Sequence, residues 1–175
     1  MDIKKLVSDT PFWFHSINVG NNIITPGEKS SELLYLELSR LQLPNLAGKS
    51  VLDIGAWDGF FSFECEKSGA RRVCALDHYV WCMDLLEQQN YHQKCLETGQ
   101  VPVPYENLPA NWKPNKMLGK RGFDTAHSLL NSRVEQKVLN FMECDILEIG
   151  SFNIVLFLGV LYHLKNPFEG MCRLA

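Results

Sequence analysis

With 175 residues, 46% of them hydrophobic and 21% charged, the sequence has the size and apolar content of one globular domain with its own core. A net charge of -3 and a pI near 5.9 exclude a global electrostatic drive toward nucleic acid, so any such role needs a local basic patch. The N-terminal MDIKKLVSDT lacks the apolar stretch of a signal peptide, and the longest apolar run, Ile154 to Tyr162, falls far short of the roughly 20 residues of a membrane helix. The expectation is a soluble, cytoplasmic protein with no membrane partner.

Residues 1–47 read as an N-terminal helical segment whose FWFHSI stretch sets His15 beside Trp13 and two phenylalanines, as a flap over a ligand or as a packing arm. From Glu28 to Leu43, Leu33, Leu34, Leu36, Leu38 and Leu41 recur among charges, behind Pro26 and Gly27 and ahead of Pro44, which predicts a helix. Ser50 to Ile54 is short and apolar, as a strand covered on both faces is. After the turn GAWDG, the run FFSFECEKSG predicts a helix with Phe60, Phe61, Phe63 and Cys65 toward a sheet and Gly69 closing it. VCALD, Val73 to Asp77, is then a second buried strand ending in an acid, completing a right-handed βαβ unit.

A helix is expected over Trp81 to Leu96, followed by an insertion over 98–133 whose first part is loop-rich with four prolines. GFDTAHSLL predicts a short helix, VLNFMECD (Val138 to Asp145) a third strand with a terminal acid, and NIVLFLGVLYH (Asn153 to His163) a fourth. NPFEGMCRLA starts a last helix with Asn166 as N-cap and Pro167 at the first helical position. The cysteines at 65, 74, 82, 95, 144 and 172 form no CxxC pair and read as reduced, buried thiols; no set of residues has the spacing of metal ligands.

Open parallel sheets bind ligands beyond the carboxyl ends of their strands. Asp53, Gly55, Asp77 and Asp145 fall at that edge, and three acids suit a phosphate poorly. A dinucleotide fingerprint counted from Gly55 would need glycines where Trp57 and Phe60 stand, and no P-loop motif is present. An adenosyl ligand without phosphates fits better. Gly55 would let the chain pass close to it, Asp77 could accept both ribose hydroxyls, and a cationic sulfonium favours an acidic surround, which points to S-adenosylmethionine.

VLDIGAWDGFFSF followed by VCALD resembles the first two cofactor-binding motifs of class I S-adenosylmethionine-dependent methyltransferases. FWFHSINVGNNIITPG, RGFDTAHSLLNSRVE and FNIVLFLGVLYHLKNPF are similar to the branch that alkylates the tRNA wobble uridine, from 5-hydroxyuridine to its 5-methoxy or 5-carboxymethoxy form. The likeness covers most of the chain from about Phe12. It implies an α/β, Rossmann-like doubly wound, mostly parallel sheet of order 3-2-1-4-5-7-6, of which this sequence carries only the first four strands. A single partial methyltransferase domain over 1–175 is therefore expected, truncated after the fourth strand or pairing that edge in a homodimer.

By position, the resemblance implies that Asp53, Gly55 and Gly59 shape the cofactor loop, with Trp57 replacing a small residue at the methionine end. Asp77, next to His78, would hold the ribose, and Asp145 with Ile146 would flank the adenine. Gly159 to His163 would line the meeting point of donor and acceptor. Tyr162 and His163 are the candidate catalytic residues there, His163 as general base, as a positioning group, or simply hydrogen-bonded at a strand end. The donor that the resemblance implies is S-adenosylmethionine or its carboxylated form. In NWKPNKMLGKRGF, Trp112, Lys113, Lys116, Lys120 and Arg121 have the composition of an RNA-contacting surface or of an ordinary solvated loop. The expected activity is methyl transfer to a tRNA wobble-uridine oxygen; the alternatives are a small-molecule methyltransferase and a catalytically inactive cofactor-binding fragment.

Overall fold

The computed structural model describes residues 2–103 and 110–174. Helices α1 (Ile3–Asp9) and α2 (Ser31–Arg40) precede strand β1 (Ser50–Ile54), helix α3 (Phe60–Lys67) and strand β2 (Arg72–Asp77). Helix α4 (Leu85–Thr98), α5 (Arg121–Leu129), strand β3 (Glu135–Val138), α6 (Ile146–Ile149), strand β4 (Ile154–Leu156) and α7 (Pro167–Cys172) complete the order. The four strands form one all-parallel sheet of order β3-β2-β1-β4, with β1 paired to β2 and β4, and β2 to β3.

The period of two along the central strands decides which side chain enters which core. Val51, Val73 and Ala75 face one cluster, built with Trp13, Leu34, Phe60, Phe63, Trp81 and Phe123 from the N-terminal arm, helices α2, α3 and α5 and the loop after β2. Leu52, Ile54, Cys74 and Leu76 face the other, with Phe141 and Ile149. Both faces are therefore covered, and β1 is buried at every position, as a parallel sheet requires. The architecture is α/β and consistent with a Rossmann-like fold.

Local signals place several ends where the sequence put them. Gly59 precedes α3 in the left-handed region and Gly69 follows it there. Asn166 caps α7 by accepting from the Glu169 amide at 3.2 Å, with Pro167 in the first turn. Helix α4 starts at Leu85 rather than Trp81, because Trp81 is fully buried and Asp84 supplies the cap, accepting from the Glu87 amide at 3.3 Å. The expected α2 shortens to Ser31–Arg40 behind its cap Ser30. Helix α1, capped by Asp2, carried no sequence signal strong enough to name it.

The third strand is displaced. Val138 to Asp145 was expected to be extended; instead β3 is Glu135–Val138, mostly exposed, and 139–144 coil into a turn. Asn140 causes the change: its side chain accepts from the Met142 amide and its carbonyl from the amides of Glu143 and Cys144. Leu139, Phe141 and Met142 thereby reach the second core from a loop. A polar segment can serve as β3 because it is an edge strand whose pairing to β2 is mainly through backbone. Asp145 accordingly ends no strand and instead caps α6, accepting from the Leu147 amide at 3.0 Å.

The fourth strand is also shorter than Asn153 to His163. Only Ile154–Leu156 pairs with β1; Gly159 then takes a left-handed φ of 70°, and Leu161–His163 forms a single 3-10 turn. β4 lies at the sheet edge. No described helix is long and apolar enough to cross a membrane. Cys65, Cys74, Cys82 and Cys95 are free and buried, whereas Cys144 is half-buried and Cys172 exposed.

Candidate functional site

The turn Gly55–Gly59 sits where β1 meets α3 at the carboxyl edge of the sheet. Gly55, Trp57 and Gly59 all have positive φ, at 78°, 49° and 86°. For a tryptophan this backbone is strained and persists only if its surroundings fix it. Three contacts do so. The Trp57 amide donates to Asp77 Oδ2 at 3.1 Å, its carbonyl accepts from Trp81 Nε1 at 2.7 Å, and its ring stacks on Phe14 with centroids 3.9 Å apart and planes 8° from parallel.

At Gly55 a Cβ would lie 2.4 Å from Val160 Cγ2, so the loop after β4 packs directly on this turn. We expect Gly55→Ala to destabilise the protein by about 1–3 kcal/mol, from the clash and the left-handed backbone together, read as a lower midpoint in urea. A wild-type midpoint would show that neither constraint operates.

Asp77 ends β2 and is 4% exposed. Besides the Trp57 amide, its carboxylate accepts from the Val80 amide at 3.1 Å, and burial pushes its pKa up to about 6. These bonds tie the β2 end to the β1 turn, yet a carboxylate has further lone pairs to offer hydroxyls. Asp53 is also buried. It accepts from Ser62 Oγ at 2.6 Å, and burial, with Asp77 nearby, raises its pKa to about 6. Its visible role is to fix α3 against β1.

Asp58 was missed by the sequence reading. It is 1% exposed, its Oδ2 accepts from the amides of Phe14 at 2.6 Å and His15 at 2.9 Å, and burial raises its pKa to about 7. The N-terminal arm is thus pinned to the Gly55–Gly59 turn by one carboxylate. The available signal was an acid inside a glycine-bracketed turn that leads straight into a buried helix. His15 lies in the same cluster, 5% exposed, with its pKa lowered to about 3 by burial and then by Lys29. Among the described residues, His15 Nδ1 and Trp57 Nε1 are the buried side-chain polar atoms without a hydrogen-bond partner.

The remaining candidates divide. His78, next to Asp77, is half-buried, its pKa lowered by burial, and its ring meets Trp112 edge-on at 5.2 Å. Gly159, Tyr162 and His163 gather after β4, with Tyr162 and His163 ring centroids 4.3 Å apart. Asp145 and Ile146 are exposed at the start of α6. Of the basic insertion, Lys116 and Arg121 are exposed and Lys113 half-buried, but Lys120 is 7% exposed. Its ammonium bonds Asp124 and, at 2.5 Å, Gln136 Oε1, and lies over the Trp81 ring. That residue is a buried structural tie, closed to an RNA phosphate by its burial, because the Trp81–Phe123 core forms around its stem.

A cleft of about 220 Å³ opens between the arm at Pro11 and Phe12 and the starts of α4 and α5, with Arg121 on its wall. None of Gly55, Asp77, His78 or Gly159 lines it. Among the described residues no three His, Cys, Asp or Glu side chains are grouped to hold a metal.

No family model matches the chain. Curated relatives include the tRNA U34 carboxymethyltransferases of Pseudomonas fluorescens strain Pf-5, 25% identical, P. fluorescens strain SBW25, 24% identical, and Pseudomonas putida strain GB-1, 26% identical. Each likeness covers 131 residues, 74% of this chain and 29% of the relative. The chain therefore matches less than a third of the length of these relatives.

Proposed function

We propose that this chain binds S-adenosylmethionine or its carboxylated form and serves alkyl transfer to an oxygen of the wobble uridine of a tRNA. The observation that carries the proposal is the buried Asp77 carboxylate, at the end of β2, closing the left-handed Gly55–Gly59 turn of the neighbouring parallel strand. The printed names of the curated relatives support the substrate class.

The residues present fit such a ligand. An acid buried at a strand end beside a glycine turn has the acceptor capacity for two ribose hydroxyls, and the Trp57 Nε1 proton at the same turn still wants an acceptor. Asp77 would hold the ribose, His78 and Ile146 the adenine side, and Gly55, Trp57 and Gly59 the methionine end. The bound donor supplies an electrophilic carbon next to a sulfonium, and what the protein adds is alignment of the acceptor. Tyr162 and His163 stand where that alignment is needed, and we assign His163 a positioning role.

The test combines two titrations of the full chain. Calorimetry with S-adenosylmethionine and its carboxylated form is expected to give saturable binding and to rank the two donors; no binding of either would remove the proposal. Neutralising Lys113, Lys116 and Arg121 together is expected to weaken tRNA binding and flatten its salt dependence while leaving donor affinity as it was. Unchanged tRNA binding would move the acceptor to a small molecule, the reading that the cleft beside Phe12 favours.

A further inference from the structure

The sheet order puts β1 between β2 and β4, so any contact between the loop after β2 and the loop after β4 must cross the carboxyl end of β1. One such contact exists. Tyr79, two residues past the end of β2, faces His163, past the end of β4, with ring planes 22° apart and centroids separated by 6.4 Å. His163 in turn adjoins Tyr162 at 4.3 Å. Three rings are therefore linked in a row, Tyr79 to His163 to Tyr162, between the loops that follow β2 and β4.

The row is open to solvent. Tyr162 is 78% exposed and Tyr79 38%, and His163 is exposed. A nearby pair of rings extends it, since His78 next to Tyr79 meets Trp112, which Lys113 follows directly in the chain and Lys116 three residues later. Each ring in the row has a flat π face and a polar edge, and the segment that brings Trp112 to His78 carries the cations Lys113 and Lys116. Aromatic faces next to cations are what single-stranded nucleic acid uses, one base per ring, with lysines taking the phosphates. An aliphatic protein partner would have no use for the lysines.

We propose that Tyr162, His163 and Tyr79 form a stacking platform for the acceptor base of a single-stranded RNA loop, with Tyr162 as the main stacking ring. This rests on the reading of the chain as an RNA-directed alkyltransferase and assigns a residue, Tyr79, that neither the glycine turn nor the basic insertion contains. His163 acts here as the spacer between Tyr79 and Tyr162. The platform sets which base is presented.

The experiment uses fluorescence anisotropy of a fluorescein-labelled oligouridine strand with the full chain at one fixed salt concentration. Tyr162→Phe is expected to bind as wild type does, and Tyr162→Leu to bind roughly 5- to 100-fold more weakly, the range for losing one base–aromatic stack. Tyr79→Leu and His163→Leu are expected to show smaller losses. Calorimetry with S-adenosylmethionine and melting curves accompany each variant. Wild-type affinity in Tyr162→Leu, together with a loss on neutralising Lys113 and Lys116, would overturn the platform and leave the RNA reading standing. A loss in Tyr162→Phe equal to that in Tyr162→Leu would also overturn it, since the hydroxyl and not the ring face would then be responsible. A wild-type protein that takes up S-adenosylmethionine but no oligouridine or tRNA at all would end the RNA reading itself, and the platform with it.

Discussion

An Asp77→Asn variant is expected to fold and to bind S-adenosylmethionine about 100-fold more weakly than wild type. The isostere is chosen because the carboxylate has two tasks. It accepts from the amides of Trp57 and Val80, which hold the β1 turn, and it would accept from the ribose. The two amides use different oxygens, so asparagine keeps one of those bonds, and it loses the charge that strengthens the second task. Hydrogen bonds to charged groups contribute about 1.5–3 kcal/mol each, so weakening two of them corresponds to roughly that hundredfold. Calorimetry gives the affinity and a melting curve the fold. A variant that melts lower and yet binds like wild type would show that Asp77 is a turn clamp only.

The second large effect concerns Asp58 and the N-terminal arm. Asp58→Ala leaves the Phe14 and His15 amides buried without their acceptor, at about 1–3 kcal/mol each, and is expected to lower the melting temperature at every pH. The acid also titrates. Its folded pKa, about 7, lies above its unfolded one, so the folded state holds a proton that the unfolded state releases. Its contribution to stability is therefore fully present below about pH 4 and is lost as pH rises through 7. Between pH 5 and 8 this amounts to roughly 2–3 kcal/mol at about 1.4 kcal/mol per unit.

Asp53 and Asp77, each raised to about 6, act in the same direction with most of their loss complete by pH 6–7. His15 acts against them. Its pKa is lowered to about 3, so its contribution is present above about 6.5 and is lost as pH falls toward 3. Comparing wild type with Asp58→Asn isolates the one group: the variant is expected to gain on wild type from pH 5 to pH 8, and urea melts at the two pH values read the difference. A constant difference would mean that Asp58 does not titrate in this window. Gly122 limits how the pocket can adjust, since a Cβ there would lie 2.3 Å from Asp58 Oδ1.

By itself, the sequence determined the βαβ unit, the sheet class and the place of Asp77 at the carboxyl end of β2. Those features follow from local physics: buried parallel strands must be apolar on both faces, and Gly59, Gly69, Asn166 and Pro167 act through backbone conformations and caps that extend over only a few residues. Asp77 was legible for the same reason, as an acid ending an apolar strand.

Only the tertiary structure decided where the third strand ran, because Asn140 could turn the chain and an edge strand could be polar, so EQKV paired with β2 while Phe141 went to the core from a loop. It also moved Asp145 from a strand end to a helix cap and Lys120 from a basic surface to a buried tie. The partnership of Asp58 with Phe14 and His15, more than 40 residues apart in sequence, and the ring contact of Tyr79 with His163 across β1 leave no local pattern. Periodicity reports which face of an element is apolar; which distant polar group meets which depends on the packing of whole layers, and that information is carried by no single segment.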